Sequence, residues 1–374
     1  MTSRTLKIDG IEISDASDSY VIAEIGHNHQ GKLDTALELF RAAKQAGVDA
    51  VKLQKRDNRA LYTRAMYEKP YDHENSFGAT YGAHREALEF GRGEYSTMVQ
   101  YAKELGIALF ATAFDFPSVD FLADLEMPAY KVASGDLKNI PLLKYVASVK
   151  KPMIISTGAA TLEDVRRAYD AVQQINQQVC LLQCTAAYPV EFSELDLRVI
   201  STYRDEFPDA VVGLSAHDNG IAMAVAAFVL GARVIEKHFT LNRAMKGTDH
   251  AFSLEPVGLR KLVRDLKRAR VALGDGKKKM YASEQGAYLK MAKKLVATRD
   301  LPAGHQLTGQ DIALRSPGDG IPPCDLDRVM GRILKVAIRE DEGFAFEMLD
   351  GVAPRRDSGE RVSVHYGARE RAPR

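Results

Sequence analysis

Asp49-Ala-Val-Lys-Leu-Gln54 and Pro128-Ala-Tyr-Lys-Val-Ala-Ser134 each place a lysine inside a short apolar run. Both runs read as interior strands, where an ammonium is costly unless a carboxylate or bound anion meets it. Lys52 and Lys131 therefore point to a doubly negative ligand, such as one with a phosphate and a carboxylate. Strand-end lysines snorkelling to solvent are the alternative. Similar runs recur at 20–25, 107–112, 152–156, 179–184, 211–215 and 233–238. They are near-continuous rather than alternating, as parallel strands covered on both faces should be. Amphipathic stretches lie between them. Ala36, Leu39, Phe40, Ala43 and Ala46 make one helical stripe ended by Gly47, and Thr161 with Asp164 starts a helix through Val172. Strands alternating with helices over roughly 250 residues predict an α/β fold, a (β/α)8 TIM barrel.

The barrel accounts for residues 1–275 of the 374. The segment 57–93 is too long for a simple connection and too polar for core, which marks an insertion at the barrel mouth. Gly274-Asp-Gly-Lys-Lys-Lys279 breaks the pattern, and 276–294 is a linker whose 281–294 part reads as a connecting helix. A compact module follows at 295–352, with short strands at 295–297 and 333–337. Roughly sixty residues with few bulky apolar groups are marginal alone, so this module is expected to pack on something. The arginine-rich 353–374 reads as a disordered tail.

Composition narrows the function classes. Hydrophobic residues make up 45% and charged residues 27%, with net charge +1, so no global field draws polyanions and no nucleic-acid role is expected. Cys180, Cys184 and Cys324 are too few for a disulfide framework. No apolar stretch reaches membrane length and the N-terminus lacks a signal-peptide core, so a cytoplasmic protein without a membrane partner is expected.

Catalytic groups of such a barrel gather at the C-terminal strand ends. Those ends carry Glu24, Lys52 with Gln54, Thr112, Lys131 with Ser134, Ser156 with Thr157, Thr185 with Tyr188, Ser215 with His217, and Glu236 with His238. His217 and His238 end adjacent strands; with Glu236 and Asp249 nearby they suit Mn, Zn, Fe or Mg rather than a closed structural zinc site. Gly26, Gly31 and Gly135 match no dinucleotide or P-loop spacing.

Several of these strings carry a resemblance. Ile22-Ala-Glu-Ile-Gly-His-Asn-His-Gln-Gly31, Asp49-Ala-Val-Lys-Leu-Gln54, Phe110-Ala-Thr-Ala-Phe-Asp115 and Tyr130-Lys-Val-Ala-Ser-Gly135 resemble the sialic acid (N-acetylneuraminate) synthases. So do Ser156-Thr-Gly-Ala-Ala-Thr161, Val234-Ile-Glu-Lys-His-Phe-Thr240 and Asp249-His-Ala-Phe-Ser-Leu-Glu-Pro256. Arg315-Ser-Pro-Gly-Asp-Gly-Ile321 resembles the antifreeze-like (SAF) module that follows the barrel in that family. The resemblance implies condensation of phosphoenolpyruvate (PEP) with N-acetylmannosamine or a related amido sugar, giving a nonulosonic acid and phosphate. It implies that Lys52, Thr112, Lys131, Ser134 and Ser215 hold PEP, and that His217 and His238 bind Mn2+ or Mg2+. Glu24 and Glu236 would serve catalysis, while Gln54, Asn75, Tyr188, Asp249 and Arg315 would address the sugar. It further implies a domain-swapped homodimer in which the SAF module caps the neighbouring barrel. The chain departs from the family pattern at Asp136 and, with loss of polar groups, at Ala186 and Ala216; the last two bear on which sugar is taken and on metal affinity. Other readings are a legionaminate- or pseudaminate-type synthase, another PEP-dependent 3-deoxy sugar acid synthase, and a non-catalytic sugar- or ice-binding protein.

Overall fold

The computed structural model describes residues 4–351. The chain divides into two compact units between Asp275 and Gly276. The first opens with a hairpin, β1 (Thr5–Ile8) and β2 (Ile11–Ser14). Eight parallel strands then close into a barrel: β3 (Tyr20–Gly26), β4 (Ala50–Lys55), β5 (Ala108–Ala113), β6 (Tyr130–Val132), β7 (Met153–Ser156), β8 (Val179–Cys184), β9 (Val211–Ala216) and β10 (Val234–His238). Each strand pairs with its sequence neighbour, and β10 closes the ring on β3 with Val234 opposite Tyr20 and His238 opposite Glu24.

The continuous apolar runs conceal a strict alternation. Val21, Ala23, Ile25, Val51, Leu53, Leu109, Ala111, Tyr130 and Val132 face outward and join the helices in one large core. Tyr20, Ile22, Ala50, Ala108, Phe110, Ala129, Ile154, Cys180, Leu182, Val211 and Val234 form a second, inner cluster, and Leu6, Ile8 and Ile13 of the hairpin pack into it. The hairpin thus stops the end where the strands begin. Toward the strand C-termini the inward positions turn polar: Glu24, Lys52, Thr112, Lys131, Ser215, Glu236 and His238 are all buried. This polarity switch along the barrel axis is what creates a site.

The helix Leu33–Ala46 ends at Gly47, which has φ 87°, and Thr161 caps Leu162–Gln173 reciprocally with Asp164. The 57–93 segment holds three short helices, Asn58–Leu61, Arg64–Tyr67 and Tyr81–Glu86, whose first turns are capped by Asp57, Thr63 and Thr80. The longer helix Arg92–Leu105 follows. The insertion is pinned to the loop after β3 at Gly31, where φ is +70° and a Cβ would lie 2.1 Å from the Ala87 carbonyl oxygen. Only glycine suits both constraints.

The second unit has its own core of Leu295, Ala297, Leu301, Leu307, Ile321, Val329, Leu334, Ile338, Phe344 and Leu349. β11 (Lys294–Ala297) pairs antiparallel with β12 (Ile312–Arg315). The strand expected at 333–337 is absent: Ile333 and Leu334 make only isolated bridges, to Gln306 and Leu349. The connecting helix is shorter than 281–294 and covers Gln285–Met291, because Ala292 turns extended ahead of β11. The expected disordered tail at 353–374 lies outside the described residues. Among the described residues no helix is long and apolar enough to cross a membrane.

Candidate active site

The polar mouth of the barrel encloses a cavity of ≈ 690 Å³, which Glu24, Lys52, Gln54, Asn75, Thr112, Lys131, Ser134, Tyr188, Ser215, His217, Glu236, His238 and Asp249 all line. The barrel residues expected to hold substrate, move protons or bind metal are therefore brought together, whereas Thr157 and Thr185, also at strand ends, line a separate pocket. Arg315 is not among the residues brought together; it sits on β12, half exposed and ion-paired with Asp341.

Neither lysine snorkels, since Lys52 is 2% and Lys131 3% exposed. Lys52 Nζ lies 2.7 Å from Glu24 Oε2 and 3.8 Å from Glu236 Oε2, and donates to Thr112 Oγ1 at 2.9 Å. Lys131 Nζ is 3.7 Å from Glu236 Oε1, which also accepts from Ser215 Oγ at 3.0 Å. Two ammoniums and two carboxylates thus balance one another in the free site. Their environments push the carboxylates apart. Burial raises the pKa of Glu24, although Lys52 and a hydrogen bond from Gln54 Nε2 (2.7 Å) oppose it. Glu236 is also penalised by burial, but Lys131, Lys52 and Ser215 outweigh it and hold the pKa down to about 2. Two carboxyls with separated pKa values suit separate duties. Glu24 is suited to moving a proton and Glu236 to anchoring the lysines as a fixed anion.

Exchanging Lys52 or Lys131 for methionine should weaken binding of a phosphate-and-carboxylate ligand by about 1.5–3 kcal/mol, one charged hydrogen bond. The ammonium of either lysine is the group that such an anion would meet. Isothermal titration alongside thermal melting checks this; unchanged affinity with an earlier melt would make the lysines purely structural.

His217 and His238 meet as expected, with ring centroids 5.4 Å apart. His217 Nδ1 faces the Thr185 carbonyl oxygen at 3.0 Å, so it carries the proton and leaves the Nε2 lone pair free. His238 Nδ1 is buried with no hydrogen-bond partner and lies 3.7 Å from Asp249 Oδ2. Burial pushes the pKa of His217 down to about 4, and that of His238 below the usual value, so both rings are neutral. Two neutral imidazoles with free lone pairs fit a divalent ion that fills its remaining positions with water or substrate. Among the described residues no three His, Cys, Asp or Glu side chains converge into a complete ligand set.

Tyr188 stacks on His217 with centroids 4.1 Å apart, and Asn75 Oδ1 accepts from the Gly247 amide at 2.9 Å, tying the insertion to the loop after β10. Sequence reasoning left out Ser156 from the ligand set; its Oγ is buried in the cavity wall without a partner. It also overlooked Lys237, a third buried lysine. As the outward neighbour of Glu236 and His238, Lys237 reaches Asp218 Oδ1 at 2.9 Å and the Asp218 carbonyl oxygen at 2.6 Å. Because Asp218 follows His217 and Lys237 precedes His238, this ion pair clips the two histidine-bearing strand ends together.

Comparison with known proteins agrees with the fold. A human N-acetylneuraminate-9-phosphate synthase is 40% identical over 333 residues, 88% of this chain and 92% of its own length. An N,N'-diacetyllegionaminic acid synthase from Legionella pneumophila is 34% identical, covering 92% of this chain and 98% of its own length. The crystal structure of the N-acetylneuraminic acid synthetase from Leptospira borgpetersenii, in complex with citrate, superposes with a TM-score of 0.66 at 31% identity, over 76% of this chain and 95% of that one. An SAF domain matches residues 294–350. The NeuB family model matches residues 39–278, and the chain belongs to the NeuB family.

Proposed function

We propose that the protein joins PEP to the aldehyde of an amido sugar, giving a nonulosonic 2-keto acid and inorganic phosphate. The observation that carries this is the paired Lys52 and Lys131 on the cavity floor beside two carboxylates of separated pKa. Lys52 and Lys131, with Thr112, Ser134 and Ser215, take the phosphate and carboxylate of PEP. Asn75, Gln54, Tyr188 and Asp249 face the sugar. PEP C3 forms a bond to the aldehyde carbon, whose oxygen takes up a proton. Water adds at C2 of the former PEP, and Glu24 accepts its proton. The tetrahedral intermediate then loses phosphate by C–O cleavage, so the reaction consumes one water and releases one phosphate per keto acid. His217 and His238 are the residues that would hold a divalent ion, Mn2+ or Mg2+. When bound, such an ion supplies Lewis-acid polarisation of the aldehyde.

The test is equimolar formation of 2-keto acid and phosphate from PEP with a panel of amido sugars and either ion. No turnover with any sugar would overturn the reading. The same panel separates a legionaminate- or pseudaminate-type acceptor from N-acetylmannosamine. Substituting alanine for His217 or His238 should cost at least about a hundredfold in turnover, since a Lewis acid contributes several kcal/mol. PEP affinity should change little, and a chelator should inactivate the native protein reversibly. Full activity after thorough chelation would remove the ion from the mechanism.

The assembly belongs to the same proposal: a homodimer in which Arg315 of one chain serves the barrel of the other. Exposed Leu314, Met291 and Tyr288 on the second unit support it as an apolar surface suited to a partner. Arginine's fixed fork of donors suits an amide carbonyl or sugar hydroxyl. Mixing inactive Arg315→Ala and Glu24→Gln chains should restore part of the activity, since one mixed dimer site pairs an intact barrel with an intact cap. No recovery despite proven subunit exchange would exclude a swapped cap. Cys180, Cys184 and Cys324 are free thiols, which supports a reducing compartment such as the cytoplasm.

A further inference from the structure

The segment between β8 and the helix Val199–Glu206 carries Tyr188 to the cavity, yet little of it is packed. Tyr188 and Phe192 are more than half exposed, and from 186 to 195 only Val190 and Leu195 are buried. A second cavity of ≈ 310 Å³ lies under its two ends, lined by Thr185 and Asp196 together with Thr157, Gln183 and Tyr203. Apolar packing from behind therefore does not fix the segment, and hydrogen bonds must. Regular structure is limited to one 3-10 turn, Phe192–Glu194. At its far end Asp196 takes φ 40°. That backbone conformation is uncommon for a residue with a side chain and persists only when its surroundings hold it.

Two side chains supply that hold. Thr185 Oγ1 donates to the Glu194 carbonyl oxygen at 2.7 Å, closing the segment on itself. Gln183 Nε2 donates to the Leu195 carbonyl oxygen at 3.1 Å. With Cys180 and Leu182 in the inner cluster, strand parity turns Gln183 outward, toward the segment's return. The closed loop then meets His217 in three ways. Tyr188 lies on the imidazole with centroids 4.1 Å apart, the Thr185 carbonyl oxygen faces Nδ1 at 3.0 Å, and the Val190 amide donates to the His217 carbonyl oxygen at 3.4 Å. Tyr188 also packs 5.5 Å from Phe252, whose ring lies 4.9 Å from that of His238. Thr185 thus serves both ends of the loop, its carbonyl on the histidine and its hydroxyl on the closure. Neither side-chain hydrogen bond involves Lys52, Lys131, Glu24 or Glu236.

We propose that Thr185 is a positioning residue: its hydroxyl, with Gln183, closes the 186–195 loop so that Tyr188 is seated on His217 and the acceptor sugar meets a preformed wall. This deepens the synthase reading above and rests on its assignment of Tyr188 to the sugar. A loop closed in advance has less freedom to lose when the sugar binds, so the two hydrogen bonds act on sugar affinity without touching the sugar. PEP, held on the floor by the lysines and serines, is indifferent to the closure.

The experiment follows keto-acid formation by the full chain with divalent ion saturating, varying PEP and the best-used sugar of the panel in turn. Thr185→Val keeps the side-chain volume and the carbonyl that faces His217, and deletes only the hydroxyl. It should raise the KM of the sugar about 3- to 10-fold, the yield of one hydrogen bond, while kcat stays within about threefold and the KM of PEP within about twofold. Thr185→Ser restores the hydroxyl and should bring the sugar KM back to within about twofold of native. Gln183→Leu should act in the same direction as Thr185→Val; because Gln183 is buried, half-buried Thr185 carries the decision if that variant misfolds. A native sugar KM in Thr185→Val overturns the proposal. So does an equal rise in both KM values, or a serine variant that does not rescue, since either would make Thr185 a general structural residue. Should no sugar turn over, the synthase reading fails on its own, and hydrogen exchange decides for the loop. The amides of Val190, Glu194 and Leu195 are bonded to the carbonyls of His217, Glu191 and Phe192. Their exchange should quicken about 5- to 10-fold in Thr185→Val, with the barrel strands unchanged. Native exchange rates at those three amides overturn the closure.

Discussion

Replacing Glu24 with glutamine is expected to lower kcat about 100- to 10,000-fold, the usual yield of a positioned general base. Glutamine keeps the side-chain volume and can still accept the Gln54 hydrogen bond, so the loss isolates proton acceptance from packing. PEP affinity should fall little, or rise, because Lys52 is released from its 2.7 Å pairing with Glu24 and is freer to meet phosphate. The pH profile adds a second check. A base must be deprotonated to act, so activity falls as pH drops through the pKa of Glu24. Burial raises that pKa, which places the acidic limb above the range of an ordinary carboxylate. The residual activity of the glutamine variant should lack this limb. An unaltered profile with near-native kcat would assign the base elsewhere.

Lys237→Met should destabilise the barrel by about 3–5 kcal/mol, the cost of leaving one member of a buried ion pair uncompensated. Both partners are only 1% exposed, so water cannot rescue the stranded Asp218. The Asp218 carbonyl loses its donor in the same substitution. Adding Asp218→Leu should return much of the loss, because an apolar pair replaces the charged one. Urea midpoints at constant m-value measure both effects. A single variant within about 1 kcal/mol of native would show that the pair is not needed for folding. The clip should also matter to the site. Divalent-ion affinity of the double variant, read by titration rather than turnover, should fall even where stability recovers, since nothing then fixes the spacing of His217 and His238.

The barrel is legible because its signals are redundant. Continuous apolar runs, Gly47 as a helix stop and the Thr161–Asp164 cap each point to the same alternation. The site is legible because ionisable residues stand where apolar ones would satisfy a strand. Lys237 escaped notice because its neighbours Glu236 and His238 made it look like one more strand-end polar group. Strand parity identifies it: with 236 and 238 inward, 237 must face the helix layer and need a partner there. The β1–β2 hairpin also had a signal, Asp9-Gly10 between alternating Leu6, Ile8, Ile11 and Ile13. Both turn residues have positive φ, 46° and 82°, as a tight primed turn requires. The closure of the 186–195 loop by Thr185 and Gln183 could not be read ahead. It depends on how an irregular segment folds back on the mouth, and no periodicity records that.

The hairpin that stops the barrel also dictates traffic. With Leu6, Ile8 and Ile13 filling the end where the strands begin, both substrates and both products share a single doorway at the mouth. A molecule seated against Lys131 lies beneath one seated against Asn75 and Asp249, so the deeper guest must arrive first and depart last. Kinetics of compulsory order, with PEP leading, are the result expected of a two-strand stopper at the far side of the barrel, and product-inhibition patterns check it.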